Sequence, residues 1–367
     1  MGAELKILTL FGTRPEIIRL SLIIKRLDSF AEQVLVHTGQ NYDPNLSEIF
    51  FEELGLRPPD RHLGVRAGGF AEQAAQILQR ADEAMAEIRP DRMLILGDTN
   101  SGLAAIAAAR RGIPVYHLEA GNRAFDDRIP EEINRRIIDH CSSVLMPYTQ
   151  RSKENLILEG VERQRIFVVG NPIYEVLRKN EERIAASKLR ERLGLSANGY
   201  FAATLHRVEN VDDPNRLSDL LRGPQRVAEK HDQPVIVSLH PHTRDRLRES
   251  GIRIDEKRVR LLEPMGFIDF VALERSARCV LSDSGTVQEE CCIYRIPSVT
   301  IRDVTERPET LECGSAILSG ADPESILRCT EIALGSPCDW VPPAEYTADS
   351  VSSTVTKIVL GYQHRLR

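Results

Sequence analysis

Basic residues do not outnumber acidic ones in this chain: 48 Lys and Arg stand against 54 Asp and Glu, a formal charge of −6 over 367 residues. That balance disfavours broad nucleic-acid binding and leaves room only for a local basic site that holds an anionic small molecule. No apolar run approaches the ~18 residues of a membrane span, so no membrane association is expected. The segment from Met1 to Glu4, followed by KILTLFG, lacks a basic stretch leading into a long apolar one. No secretion signal is therefore read, and a cytoplasmic location is expected. None of the seven cysteines forms a CxxC pair, and no His/Cys cluster has ligand spacing. Buried reduced thiols are expected, and a metal site is not. Cys291 and Cys292 could react only formally, since both sit in what reads as a helix. Neither GxxxxGK[ST] nor GxGxxG occurs, so the P-loop and the dinucleotide fingerprint are both missing.

What is present is a regular alternation. At 42% hydrophobic and 28% charged the chain has the composition of a globular protein, and its length suits about two domains with sizeable cores. Short apolar strands at 5–12, 33–40, 92–98, 114–121, in SVLMPY and at 165–172 alternate with helical stretches, among them 70–90 and PEEINRRIIDHCS. The pattern restarts with strands at 200–206, 234–241, 259–264, 279–284 and 297–303. Continuous apolar strands joined by helices imply parallel sheets covered on both faces. The expected fold is therefore α/β, with a first domain over 1–171 and a second over 172–349. The charged stretch KNEERIAASKLRERLG lies near the linker, and a last helix at about 350–362 could pack on either domain. No repeat and no low-complexity segment is found.

In open parallel sheets ligands bind at the carboxyl ends of the strands, so the polar residues that end strands are the candidates. In SDSGTVQEE, Ser284, Gly285 and Thr286 open a helix whose first N–H groups and dipole attract phosphate; the same string is also an ordinary N-cap. Glu290, one to two turns on, suits a ribose diol or a solvated helix face. Arg14 follows the first strand, and its donor fork suits a diphosphate, though a surface arginine would look the same. Phe270 could stack on a base or fill the core. Asp98 and Glu119 each directly follow an apolar strand, and like charges at adjacent strand ends make an acid/base pair. Glu131, in a first helical turn, could act with them or merely complement the dipole. His206, ending a strand of the second domain, could donate a proton or carry charge beside a phosphate.

As an ordered set, GTRPE (12–16), TGQ (38–40), GDT (97–99), EAG.R (119–123), PEE.NR (130–135), GN (170–171), HR (206–207), DSG..QEE (283–290) and RD.TERPE (302–309) resemble the non-hydrolysing UDP-N-acetylglucosamine 2-epimerase family over nearly the whole chain. The resemblance implies two Rossmann-like domains of the glycosyltransferase-B type with the active site in the cleft between them. It also implies a last helix, from about 350 to 367, returning to the first domain, and a homodimer. Carried onto matching positions, Asp98, Glu119 and Glu131 become catalytic acids and His206 the group assisting the leaving diphosphate. Arg14, Ser284 and Gly285, with Thr286 beside them, become phosphate contacts, Phe270 the base contact and Glu290 the ribose contact. Arg19 stands where the family usually has lysine, TGQNYD where many bacterial relatives read TGQH, and HRVEN where HRRE is commoner. GNRAFDDRIPEEINRR resembles a subgroup with members acting on 6-deoxy N-acetylamino sugars.

The implied reaction meets a chemical need. The C2 proton of a UDP-sugar is not acidic, because no carbonyl adjoins that carbon. Without a dinucleotide, the remedy is to expel the diphosphate, leaving 2-acetamidoglucal, and to add UDP back after protonation from the opposite face. No cofactor is then required. The alternatives are a related UDP-amino-sugar epimerase, a hydrolysing epimerase that loses UDP, a glycosyltransferase of the same fold, and a nucleotide-sugar sensor.

Overall fold

The computed structural model describes residues 5–39, 44–239, 241–252 and 254–364, without side chains at 44–47, 208–209 and 241–242. Gln40 to Asp43 of TGQNYD, the side chains of Val208 and Glu209 in HRVEN, and residues 365–367 of the expected last helix lie outside this description. The chain divides into two compact units, Met1–Arg178 with Ala344–Arg367, and Lys179–Pro343.

The first unit carries six strands: β1 (Lys6–Phe11), β2 (Glu32–His37), β3 (Arg61–His62), β4 (Arg92–Leu96), β5 (Val115–Leu118) and β6 (Val144–Met146). They pair in the order β3-β2-β1-β4-β5-β6, every pair parallel, with Ile7 opposite Gln33, Leu8 opposite Met93, Leu94 opposite Tyr116 and His117 opposite Leu145. Helices cover both faces of such a sheet, so strand residues of either parity are buried: Ile7, Leu8, Met93, Leu94 and Ile95 among them. The order reverses between β1 and β4, and the loops after these two strands diverge there. That is the point at which open α/β sheets hold ligands.

The second unit repeats the plan with β7 (Phe201–Leu205), β8 (Val235–Leu239), β9 (Val259–Leu262), β10 (Val280–Ser282), β11 (Ser298–Thr300) and β12 (Ala316–Leu318). Their order, β12-β11-β10-β7-β8-β9, is the first unit's order read from the other edge. Its reversal lies between β7 and β10, whose carboxyl ends lead into His206 and Asp283.

Two differences from the sequence reading have physical causes. The segment 165–172 is not a strand. Phe167 and Val169 donate their N–H groups to the Leu145 and Pro147 carbonyls, but Gly170 turns to φ +87° and Asn171 N–H goes to the Glu345 carbonyl instead. β3 and β12, unread in the sequence, are edge strands of two and three residues, too short to show a period. The charged stretch at 179–194 folds as two short helices, Glu181–Ala185 and Leu189–Arg192, that open the second unit. The last helix, Val351–Gly361, belongs to the first unit. It buries Val351, Val355 and Val359 and receives the Arg92 guanidinium on its Val359 carbonyl.

Candidate active site

The loop after β1 is organised by one carboxylate. Thr13 caps the helix Arg14–Leu27, with Pro15 in its first turn. The buried Glu16 Oε2 accepts the Gly12 and Thr13 N–H groups, each at 2.7 Å. Its Oε1 accepts the Thr99 hydroxyl at 2.8 Å. Glu16 thus ties the loop after β1 to the loop after β4. Burial pushes its carboxyl up to about 7, against the hydrogen bonds that favour the charged form. Arg14 sits at the helix start with its guanidinium 5.9 Å from the centre of the Phe50 ring.

One turn further, the same helix sends the buried Arg19 guanidinium onto Glu119 Oε2 and to within 5.7 Å of the Tyr148 ring centre. Glu119 follows β5 at φ +70°, in the left-handed region. Tyr148 donates its hydroxyl to Oε2 and Asn122 its amide to Oε1, both at 3.2 Å. Three residues, two of them from other segments, therefore fix a carboxylate whose side chain is only 5% exposed.

Asp98, which follows β4 and Gly97, pairs with Arg135 Nη2 at 2.5 Å and is 18% exposed. Asn134 donates to the Asp98 carbonyl at 3.0 Å. Both partners lie on the helix Pro130–Cys141. Glu131 stands three and four residues before them, on the same helix face. The helix thus brings Glu131 onto the face that grips Asp98. Glu132, on the neighbouring face, accepts the Ala124 N–H at 2.9 Å and pins the loop that follows Glu119.

Below the acids a buried ion cluster joins the same loops. His117 of β5 bonds the Gly97 carbonyl through Nε2 and the Asp139 carboxylate through Nδ1, both at 2.8 Å. The carbonyl only accepts, so Nε2 carries a proton. Asp139 also accepts the Gly121 N–H at 3.1 Å and Arg123 at 2.8 Å. Burial pushes the Asp139 carboxyl up, but His117 and Arg123 outweigh it and hold the group below the usual carboxylate range.

In the second unit, Asp283 is the organiser. It is fully buried and accepts the His206 N–H at 2.9 Å, the Arg207 N–H at 3.0 Å and the Asn210 amide at 3.2 Å. His206 Nδ1 lies 2.9 Å from it, which leaves a ring 37% exposed. Burial raises the Asp283 carboxyl, but the His206 charge and the bonds from His206 and Arg207 prevail and hold it far below the usual range. Ser284 makes no side-chain cap to the helix Gly285–Tyr294, so the first-turn N–H groups are not closed off by it. A Cβ on Gly285 would stand 3.0 Å from Glu306 Oε1. Glu306 itself is gripped by Arg207 at 2.7 Å and Arg302 at 2.6 Å, and Arg307 pairs with Glu289. Three motifs separated in sequence, HR, DSG..QEE and RD.TERPE, meet here. Phe270 is half-buried against a cluster that includes Leu273 and Val280. Glu290 is buried beside Glu274.

Among these residues Glu16, His117, Asp139, Asp283 and Glu306 were not singled out from sequence, and Arg19 only as a departure from the family pattern. Thr13-Arg14-Pro15-Glu16 does carry the T-x-x-E capping signature, and Arg19 is a lone charge in the apolar run IIRLSLII. Among the described residues no group of three or more His, Cys, Asp or Glu could hold a metal ion, and no helix is long and apolar enough to cross a membrane.

Two α/β units of Rossmann strand order, one ending its strands in carboxylates and the other in a histidine and an open helix start, make up a fold of the glycosyltransferase-B type. The sequence profile described as UDP-N-acetylglucosamine 2-epimerase matches residues 25–359, and the chain belongs to that family of isomerases. It is 40% identical over 348 residues to the UDP-N-acetylglucosamine 2-epimerase of Methanocaldococcus jannaschii, covering 92% of this chain and 95% of that protein. It is 36% identical over 335 residues to the UDP-2,3-diacetamido-2,3-dideoxy-D-glucuronate 2-epimerase of Pseudomonas aeruginosa, covering 90% and 93%. The crystal structure of the M. jannaschii UDP-GlcNAc 2-epimerase in complex with UDP-GlcNAc and UDP superposes with a TM-score of 0.91 at 38% identity, covering 96% of this chain and 99% of that one.

Proposed function

We propose that the chain interconverts UDP-N-acetylglucosamine and UDP-N-acetylmannosamine without hydrolysis, by elimination of UDP to 2-acetamidoglucal and its re-addition. The observation that carries this reading is the fixing of strand-end acids in the first unit: Asp98 on Arg135 and Glu119 on Arg19, Tyr148 and Asn122, with Glu131 on the helix face that holds Asp98. Departure of the diphosphate builds positive charge at C1 and acidifies the C2 proton. Carboxylates held in place can take that proton and return one without first reorganising.

In this reading Asp98, Glu119 and Glu131 act on the sugar. His206, oriented by Asp283, stabilises the leaving diphosphate. Arg14, Ser284, Gly285 and Thr286 hold the phosphates, Phe270 the base and Glu290 the ribose. The glucal and UDP exchange one C–O bond and one proton, so the cycle consumes no cofactor.

The P. aeruginosa relative supports a second reading for the sugar alone, one bearing extra groups at C3 and C6. Incubation with UDP-GlcNAc, a UDP-6-deoxy-N-acetylamino sugar and UDP-2,3-diacetamido-2,3-dideoxy-glucuronate in parallel separates them. The first reading expects UDP-GlcNAc to equilibrate with its epimer with no loss of UDP. Free amino sugar plus UDP would make the enzyme hydrolysing. Turnover that requires a sugar acceptor would make it a transferase.

A further inference from the structure

Glu274 stands out among the buried groups that this mechanism does not use. It lies on the helix Phe267–Arg275, is 1% exposed, and neither of its carboxyl oxygens meets a hydrogen-bond donor. Among the described residues no Lys, Arg or His pairs with it. What it faces is another carboxyl group, Glu290, which is 3% exposed, at hydrogen-bonding range. Two carboxylates cannot bond to each other, so contact at this range needs a proton held between them. Burial and the neighbouring Glu290 push Glu274 well above the ordinary carboxylate range, the direction that favours a proton there. The Cys291 thiol lies beside both acids and is itself pushed up by burial and by their charges.

The surroundings give no structural reason for an acid at this position. Leu273, Ala277, Val280 and Val287 form the local core, and a leucine at 274 would suit such company. A buried carboxyl without a cation costs stability that an apolar side chain would not. The spacing suggests what the acid does. Phe270 and Glu274 are four residues apart on one helix, and Thr286 and Glu290 four apart on another, so each pair shares a face. Glu290 would present its outer oxygen to a vicinal diol only if its inner oxygen were tied down.

We propose that Glu274 is a positioning residue for the nucleotide: it donates a hydrogen bond to Glu290 and so fixes the carboxylate that reads the ribose 2′- and 3′-hydroxyls. This rests on the assignment of Glu290 to the ribose in the proposed function. Ribose recognition is then built from two acids, and the chain should discriminate ribose from 2′-deoxyribose nucleotides through a residue that never touches the ligand.

The test compares UDP-GlcNAc with its 2′-deoxyuridine analogue in wild type, Glu290→Gln, Glu274→Leu and Glu274→Gln, with kcat, KM and the thermal midpoint measured for each. Glu274→Leu is expected to raise KM for UDP-GlcNAc about tenfold, the scale of a lost charge-assisted bond. Its kcat should change less than twofold, its preference for ribose should shrink, and its thermal midpoint should stay or rise. Glu274→Gln, which keeps an N–H donor, should recover most of the affinity and the preference. If wild type does not distinguish the two nucleotides, the ribose assignment of Glu290 falls and the proposal with it. If wild type and Glu290→Gln differ as expected but Glu274→Leu keeps the wild-type KM and preference, the assignment stands and the role of Glu274 is refuted. A fall in kcat and midpoint with KM unchanged would mark Glu274 as structural only.

Discussion

At the residue scale, every strand-end acid of the first unit is held by a partner from another segment. Asp98 leans on Arg135, and Glu119 on Arg19, Tyr148 and Asn122. Such fixing separates a catalytic carboxylate from a solvated one, because the group reaches its geometry before substrate arrives. Asp98→Asn, Glu119→Gln and Glu131→Gln keep shape and remove proton affinity. Each is expected to lower kcat by ~10²-fold or more, the scale of a lost acid–base group. Steady-state rates on folded variants with unchanged thermal midpoints would check this, and full activity in all three would remove the assigned roles. Arg19 shows that the arginine found where the family usually has lysine keeps a cation against Glu119. Its fork also lies near the face of Tyr148, which suits a planar guanidinium.

At the element scale, the sites sit where helices begin. Glu16 occupies the Gly12 and Thr13 N–H groups at the start of the first helix, with its carboxyl raised from near 4.5 to about 7. The folded state therefore holds a proton that the unfolded chain releases. The resulting stability is fully present below about pH 4.5 and is lost as pH rises through 7. Glu16→Gln keeps an acceptor for the two amides and cannot titrate. Its thermal midpoint should stay flatter between pH 4.5 and 7 than that of wild type, and equal slopes would contradict the assignment. In the second unit, the room taken by a Gly285 Cβ is closed by Glu306, itself pinned by two arginines. Gly285→Ala should cost about 1–3 kcal/mol, as overpacked sites do, and should weaken UDP binding measured by calorimetry. Unaltered stability and affinity would show the helix start to be tolerant. The long buried strands were legible in the sequence because continuous apolar runs need both faces covered. The edge strands β3 and β12 were not, since two or three residues carry no period. The strand ends also pointed to Asp98, Glu119 and His206 as candidates. Arg135, which holds Asp98, and Asp283, which holds His206, stayed hidden, because a polar residue inside a helix or loop looks solvated until the fold buries it.

At the scale of the whole molecule, the first unit is discontinuous: the chain leaves it after Arg178 and re-enters at Ala344. The returning segment buries Val351, Val355 and Val359, holds Glu175 through Ser352 at 2.6 Å and packs Ala348 against Gly170. Burying a valine contributes roughly 1.5–3 kcal/mol, so three of them approach the 5–15 kcal/mol that stabilises a typical domain. A chain ending at Pro343 should therefore lose the cooperative unfolding of its first unit, as followed by circular dichroism. A truncated chain that melts like the full one would show the last helix to be dispensable. The central claim, that the fixed acids of this unit exchange the C2 proton of a UDP-sugar, is tested most directly by a proton NMR time course in D₂O with UDP-GlcNAc. The expected result is epimer formed with one solvent deuterium at C2 and intact UDP linkage; epimer that keeps its original C2 proton, or no exchange at C2 with any of the three UDP-sugars, would contradict it.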